Sequence, residues 1–498
     1  MDSVEDVQTW KEAEYTHPDG DYSDYYTKVE LLARFMRPIP VLERNTSVFL
    51  QETTQERPHL GPNWCLRVKT ELGISTALAL FFVSKAKSDV AAVAFTYPKI
   101  GTIRIFISKN TVAEADHHHA LKLLGWLYGN LFARYGDFVN FASAGFKVVL
   151  GHCSQKFRKR VQDLPLEHLV MLKNHLLSNA DDFNKAKDVR FKSYANNERK
   201  IPSEAAAGML IKINDISTRI CINHNADSFV NASANDYDDA YALSGYARLL
   251  WESSAFKAIL NTFAVTPEIR ESIRESLGKV GVYFYGVLSL WKTLAVRCGK
   301  KAAAKVSCQP YRLDFVVVNS IPKRTIALTV DWYDLVKRHV EKRQHSRPLR
   351  ISKESFVHHI VLDAAEIIIQ PQAEVLYHCE QRLADVLKSN GVTKAVFGIS
   401  KSCCELCSHS LQERNNVGDM WLAARGHQEI YQTLLPDMAG IDSDTAMLRI
   451  FSMVGHVDRL FSLFIDQVNV ADSSPVPRDN KEIDSEEEED FLSLFEKG

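Results

Sequence analysis

The chain of 498 residues has no hydrophobic run long enough to cross a bilayer. Its most apolar stretch, 280–291, falls short of the ~20 residues a membrane helix needs and reads as a core helix. Charge of one sign is missing too: the net charge is −2 at pH 7, which argues neither for nor against a nucleic-acid partner. Cysteine is sparse, with nine residues and no disulfide framework, and three of them fall between Cys403 and Cys407. That usage fits a reducing compartment. No secretory leader is expected, because Met1, Asp2, Ser3, Val4, Glu5 and Asp6 form a polar, acidic start. No fixed-period repeat is visible, which excludes a solenoid. These absences leave an intracellular protein, cytoplasmic and/or nuclear, with the 46% hydrophobic and 24% charged residues of an ordinary globular chain.

What is present is a concentrated set of metal-ligand and acid–base residues. The chain reads His378-Cys379-Glu380 and, about two dozen residues on, Cys403-Cys404-Glu405-Leu406-Cys407. His-x-Glu followed by Cys-x-x-Cys is the pattern of the zinc-dependent nucleobase deaminases. One imidazole and two thiolates fill three of the four tetrahedral positions on Zn²⁺ and leave the fourth for water. The ion lowers the pKa of that water to about 7. A carboxylate outside the ligand set must then carry protons to the ring nitrogen and the departing amine. The pattern assigns His378, Cys404 and Cys407 as zinc ligands and Glu380 as proton carrier. Apolar residues at Leu376, Cys379, Leu383, Val386 and Leu387 predict a helix over 373–387, ended by Asn390-Gly391. Residues 395–399 read as a buried strand. Ser400 or Ser402 can cap a second helix carrying Cys404 and Cys407 in its first turn, where a helix N-terminus favours thiolate.

Tyr377-His378-Cys379-Glu380, with Gly398-Ile399-Ser400-Lys401 leading into Cys404-x-x-Cys407, resembles the fungal OTT-like deaminases of the cytidine-deaminase-like zinc superfamily. Arg425-Gly426-His427, Tyr431 and Leu435-Pro436 are similar to the Gly-His-aromatic-Pro trailer of that family. The match covers roughly 370–436, about an eighth of the chain. The resemblance implies a three-layer α/β/α fold, in which helices flank a mixed sheet. It also implies deamination of a nucleotide or of a base in nucleic acid, cytosine before adenine. His427 becomes a candidate pocket residue, with a structural hydrogen bond as its rival role. Cys403 stands where most of the superfamily has proline, so it rivals Cys404 as first sulfur ligand; the Cys-x-x-Cys spacing favours Cys404. The competing class is a catalytically inactive zinc-binding scaffold or interaction protein.

Around the motif, the pattern predicts a mainly helical region over 1–300 with a β-hairpin near 90–108, a deaminase-like zinc domain over 305–470 and an acidic tail over 473–498. Within the first region, helices are expected near 26–35, 64–83 and 121–141, and 160–300 reads as mainly helical. Residues 102–107 alternate polar and apolar, which predicts a solvated sheet face. His117-His118-His119 reads as a solvated cluster, since consecutive helical residues diverge. Residues 312–330 read as the hairpin that should precede the ligand helix, turning at Ile321-Pro322-Lys323. Further helices are expected over 332–342, 352–369, 421–438 and 445–467, the last with a core face of Met447, Ile450, Phe451, Val454, Val457, Leu460 and Phe461.

Three basic stretches bear on partners. Residues 156–160, and 185–200 with Phe191 and Tyr194 interleaved, can follow a single strand or form a solvated helix face. The stretch 337–353 is the best electrostatic candidate for phosphate, with Arg343 and Arg347 as candidate substrate contacts. The tail has nine acidic residues against three basic, net −6, which leaves the remainder near +4. It ends in Phe491-Leu492-Ser493-Leu494-Phe495, a candidate peptide for a protein partner. The expected substrate is a nucleobase compound, either a free nucleotide or single-stranded nucleic acid, and no membrane partner is expected.

Overall fold

Ala91-Ala92-Val93-Ala94-Phe95-Thr96 is apolar on both sides of its pleat, and such a strand is stable only between two covering layers. In the computed structural model it is buried along its whole length, at the centre of a five-stranded sheet. The structure describes residues 18–35, 61–86, 89–96, 102–130, 138–185, 201–223, 234–291, 312–342, 353, 357, 367–401, 403–416, 420–423, 431, 433–435 and 443–471.

In chain order the elements are helices α1 (Ser23–Phe35) and α2 (Gly61–Phe81), then strands β1 (Ala91–Thr96) and β2 (Thr102–Lys109). A helical series follows: α3 (Glu114–Asn130), α4 (Phe138–Gln162), α5 (Leu166–Ser178), α6 (Ala180–Lys185), α7 (Ser203–Asn223), α8 (Ala234–Glu252), α9 (Ser254–Thr262) and α10 (Pro267–Leu290). The remainder is β3 (Arg312–Val318), β4 (Arg324–Ala327), α11 (Trp332–Lys342), β5 (Gln372–Val375), α12 (Cys379–Ser389), β6 (Lys394–Ile399), α13 (Glu405–Asn416), β7 (Met420–Ala423) and α14 (Ser443–Ala471). The protein is thus mixed α/β, mostly helical, with a small mixed sheet. Among the described residues no helix is long and apolar enough to cross a membrane.

The sheet order is β3-β2-β1-β6-β7. β1 pairs antiparallel with β2, Val93 opposite Ile107, and antiparallel with β6, Val93 opposite Gly398. The hairpin expected near 90–108 is therefore present. The one expected over 312–330 is not. β3 adds parallel to β2 from Thr102↔Arg312 to Ser108↔Val318, while β4 pairs antiparallel with β5 in a separate ribbon. The reason lies in length: β3 gains seven cross-strand pairs on β2, whereas β4 offers four residues. β7 lies parallel to β6, so the helix expected from 421 gives way to strand at its start.

Strand alternation divides the core in two. Val93, Phe95, Ile105 and Ile107 face the layer of α2–α10, whereas Ala92, Ala94, Phe106, Phe397 and Ile399 face α1, α11, α12, α13 and α14. The solvated face expected over 102–107 is covered. Thr102 and Ser108 are buried, and Arg104 pairs with Asp314 of β3 at 3.4 Å. α2 rests so closely on β6 that a Cβ at Gly398 would overlap the backbone of Ser75 and Thr76.

On the helical side, Thr266 caps α10 by accepting from the Ile269 amide, with Pro267 at the first helical position. The stretch 280–291 is core as expected. Lys109, at the end of β2, is buried between Asp116 (2.7 Å) and Asp89 (3.3 Å), and His152 reaches Asp116 at 3.0 Å. His117 and His118 are exposed as expected. His119 is buried, with Nε2 2.8 Å from the Phe81 carbonyl and its ring stacked on His152. The run 156–160 is partly tied into the fold and partly solvated, with Lys159 exposed. Lys156, Arg158 and Arg160 donate to the carbonyls of Ala86, Cys221 and Lys279, and Phe157 is fully buried. On α14, Ile450, Val457, Leu460 and Phe461 are core, but Phe451 is 65% exposed. Residues 186–200, 343–352 and 472–498 lie outside the described residues, and of 352–369 only Lys353 and Val357 are described as helical.

Candidate metal centre

Two short helix starts build the site on the α1/α14 side of the sheet. Gln372, Ala373, Glu374 and Val375 alternate outward and inward, so they form β5 rather than the first turn of the predicted helix. Leu376 bridges to Thr433, and the chain turns at His378, which is extended (φ −69°, ψ 144°) immediately before α12. The Cys379 amide, free at a helix start, donates to Asn110 Oδ1 at 3.0 Å. α12 closes where expected: Gly391 takes φ +74°, and its amide donates to the Lys388 carbonyl.

β6 then delivers the second half. Ser400 does not cap a helix. Its amide and hydroxyl bind the Ala91 carbonyl and amide, each at 2.9 Å, which fastens the end of β6 to β1. α13 starts at Glu405, so Cys404 lies immediately before it and Cys407 in its first turn. Ser402 lies outside the described residues.

The two halves meet. His378 Nδ1 is 3.2 Å from Cys407 Sγ, 3.5 Å from Cys404 Sγ and 4.0 Å from Glu380 Oε1. All four groups are buried, and one donor atom from each lies within 4.8 Å of the rest. This group can hold a metal ion. Cys403, though buried, is outside it.

The electrostatics separate the four buried cysteines of this region. Burial opposes a thiolate at Cys404, but hydrogen bonds from Cys407 and His378 and the attraction of His378 outweigh it and hold Cys404 well below the usual thiol range. Cys407 is pushed up by burial and by Cys404 beside it. Cys379 and Cys403 are pushed well up by burial and by the Glu380 carboxylate, so both remain neutral thiols. The Cys379 thiol donates to Glu380 Oε2 at 3.3 Å.

Buried polar contacts fix the two ligand helices to their neighbours. Asp385 of α12 accepts from Tyr377 Oη at 2.5 Å and from Arg414 of α13, which has no solvent exposure. Arg459 donates to His456 Nδ1, so His456 Nε2 donates to Glu405, binding α14 to the start of α13. His409 stacks on His456 at 3.8 Å, and burial with that neighbour holds it down at about 3.

Sequence reasoning brought together His378, Glu380, Cys404 and Cys407, and the structure places them together. It missed Gln381, which is fully buried with Nε2 3.3 Å from Cys407 Sγ. A signal existed: Gln381 follows His378 by three positions, hence lies on the same side of the helix. Nothing local marks Asp385 or Arg414. His427, Arg343 and Arg347 lie outside the described residues, and of the trailer Leu435 is buried with its amide on Tyr26 Oη. Comparison with protein-family models, curated proteins and solved structures returned no match.

Proposed function

We propose that the chain is a zinc-dependent hydrolytic deaminase of an amino-substituted nucleobase, cytosine before adenine. The observation that carries this reading is the buried group of one imidazole, two cysteine sulfurs and one carboxylate within 4.8 Å. Its donor chemistry fits zinc. Ligands sharing a tetrahedral zinc at bonds of 2.0–2.3 Å stand about 3.6 Å apart, close to the 3.2 and 3.5 Å found from His378 Nδ1 to the two sulfurs. His378, Cys404 and Cys407 would hold the ion. When bound, zinc supplies the Lewis acidity that makes water a nucleophile near neutral pH.

Glu380 does the proton work. Its carboxylate takes a proton from water, passes it to the ring nitrogen, and returns a second to the amine that leaves as ammonia as the carbonyl forms. The Cys379 thiol, 3.3 Å from Glu380 Oε2, holds that carboxylate in place. The sheet order β3-β2-β1-β6-β7, with α12 and α13 on one face and α2–α10 on the other, supports the three-layer cytidine-deaminase-like fold, while the OTT-like kinship rests on the motif residues alone. A nucleotide or single-stranded nucleic acid is the proposed partner. A second reading, an inactive zinc-binding scaffold, draws on the deep burial of all four groups.

One experiment separates these. Purified protein should contain about one zinc per chain, and ammonia release should be assayed across cytidine, adenosine, their nucleotides, and single-stranded DNA and RNA. Glu380→Gln should keep the zinc and lose about 10²–10⁴-fold in turnover. Zinc without turnover on any of these substrates favours the scaffold; absence of metal defeats both readings.

A further inference from the structure

We propose that Gln381 is a positioning residue of the metal centre, its carboxamide donating to the Cys407 sulfur and thereby setting how firmly that ligand holds the ion. The proposal rests on the metal-binding reading above. Gln381 has no solvent exposure, its Nε2 lies 3.3 Å from Cys407 Sγ, and its Oε1 has no hydrogen-bond partner. A buried carboxamide with an orphaned carbonyl is a costly choice at a core position. Leucine or methionine would fill the space with no polar atom left over. Among the described residues, the Cys407 sulfur is the one side-chain partner that can offset that cost, and a cysteine sulfur that holds a metal ion can only accept, which the NH₂ end satisfies.

The geometry gives the contact a task. Gln381 belongs to α12, three positions after His378, while Cys407 belongs to α13. The N–H···S bond therefore reaches from the helix that carries Glu380 across to the second half of the ligand set. Among the described residues it touches Cys407 and not Cys404, so the two sulfurs differ in electron density. Partners of this kind orient ligands and tune the metal, and their loss commonly weakens metal affinity by 10–100-fold.

The test uses the full chain with Gln381→Met, which keeps length and volume but removes the donor, and Gln381→Leu as a second variant. Zinc affinity, measured by competition with a chromophoric chelator, should fall by about 10–100-fold. In the cobalt(II)-substituted protein, the sulfur-to-cobalt charge-transfer band should move to longer wavelength, because a thiolate without its donor gives up charge more easily. A purely structural role would leave that band in place. If either variant keeps wild-type circular dichroism, zinc affinity and charge-transfer band, Gln381 is not a positioning residue, and the metal reading is untouched. If wild-type protein takes up no metal, the metal reading fails and this proposal falls with it.

Discussion

Arg414 and Asp385 bind each other away from water, and each belongs to one of the two helices at whose starts the candidate metal group is built. Arg414 is fully buried, and the Asp385 side chain is 9% exposed. Tyr377, the residue before His378, occupies the other carboxylate oxygen. The distance between α12 and α13, and with it the spacing of His378 from the two sulfurs, is set by this three-residue link.

Removing one partner of such a pair leaves the other charge buried. Arg414→Met should destabilise the protein by about 3–5 kcal/mol and weaken metal binding as well. Urea unfolding and a zinc titration check both parts. Unchanged unfolding would mean that water reaches Asp385 readily.

The sulfur ligands can be told apart by substitution. Cys404→Ser should lose the metal, because its sulfur lies 3.5 Å from His378 Nδ1. Cys403→Ser should retain it, since the Cys403 sulfur lies outside the ligand group. Metal analysis of the two purified variants decides, and the reverse pattern would move the ligand role to Cys403.

Gly398 and Gly455 should respond oppositely to alanine. At Gly398 the new methyl group meets the α2 backbone, which has no side chain to move aside, so Gly398→Ala should cost about 3 kcal/mol or more. Gly455 faces open space on α14, and Gly455→Ala should stabilise by about 0.5–1 kcal/mol. Thermal melts of both variants against wild type measure the difference.

Acid should act through Asp116. Burial alone would raise this carboxyl, but hydrogen bonds from His152, Lys109 and the Ala113 amide outweigh it and hold it at about 2, below its ordinary 3.8. A depressed carboxylate stabilises the fold fully above its unfolded value and loses that contribution as pH falls through its folded value. On the order of 2 kcal/mol should therefore disappear between pH ~4 and ~2. Asp116→Asn should flatten the pH dependence of unfolding in that window, and an unchanged slope would place the acid sensitivity elsewhere.

The candidate metal group was legible because its chemistry is written at short range: His378 to Glu380, Cys404 to Cys407, and an apolar strand between. The sheet around them was not. Residues 315–318 read the same whether they return as a hairpin or lie parallel at an edge, and the choice depended on β2, some two hundred residues earlier. Met420–Ala423 has good helix formers, yet the edge of β6 makes it strand, a case of tertiary context overriding propensity. Phe451 shares the helical period of the α14 core face but stands at its margin, where the packing ends. Arg414 is a polar residue in a fully buried place, and no periodicity marks a polar residue whose partner lies on another helix.

The pairing of β1 with β6 joins residues about 300 positions apart. At a synthesis rate of ~5–20 residues per second, the ribosome delivers β6 roughly 15–60 s after the hairpin of β1 and β2 has emerged. Throughout that interval β1 holds out an unpaired edge of apolar residues, a template for foreign strands. The helices α3–α10, made in the meantime, can join α2 in covering one face of the hairpin but cannot close its edge. Completion of the sheet is thus the late, topology-limited event. Because α12 and α13 seat on that finished sheet, the candidate metal group comes together only in a chain whose sheet is complete.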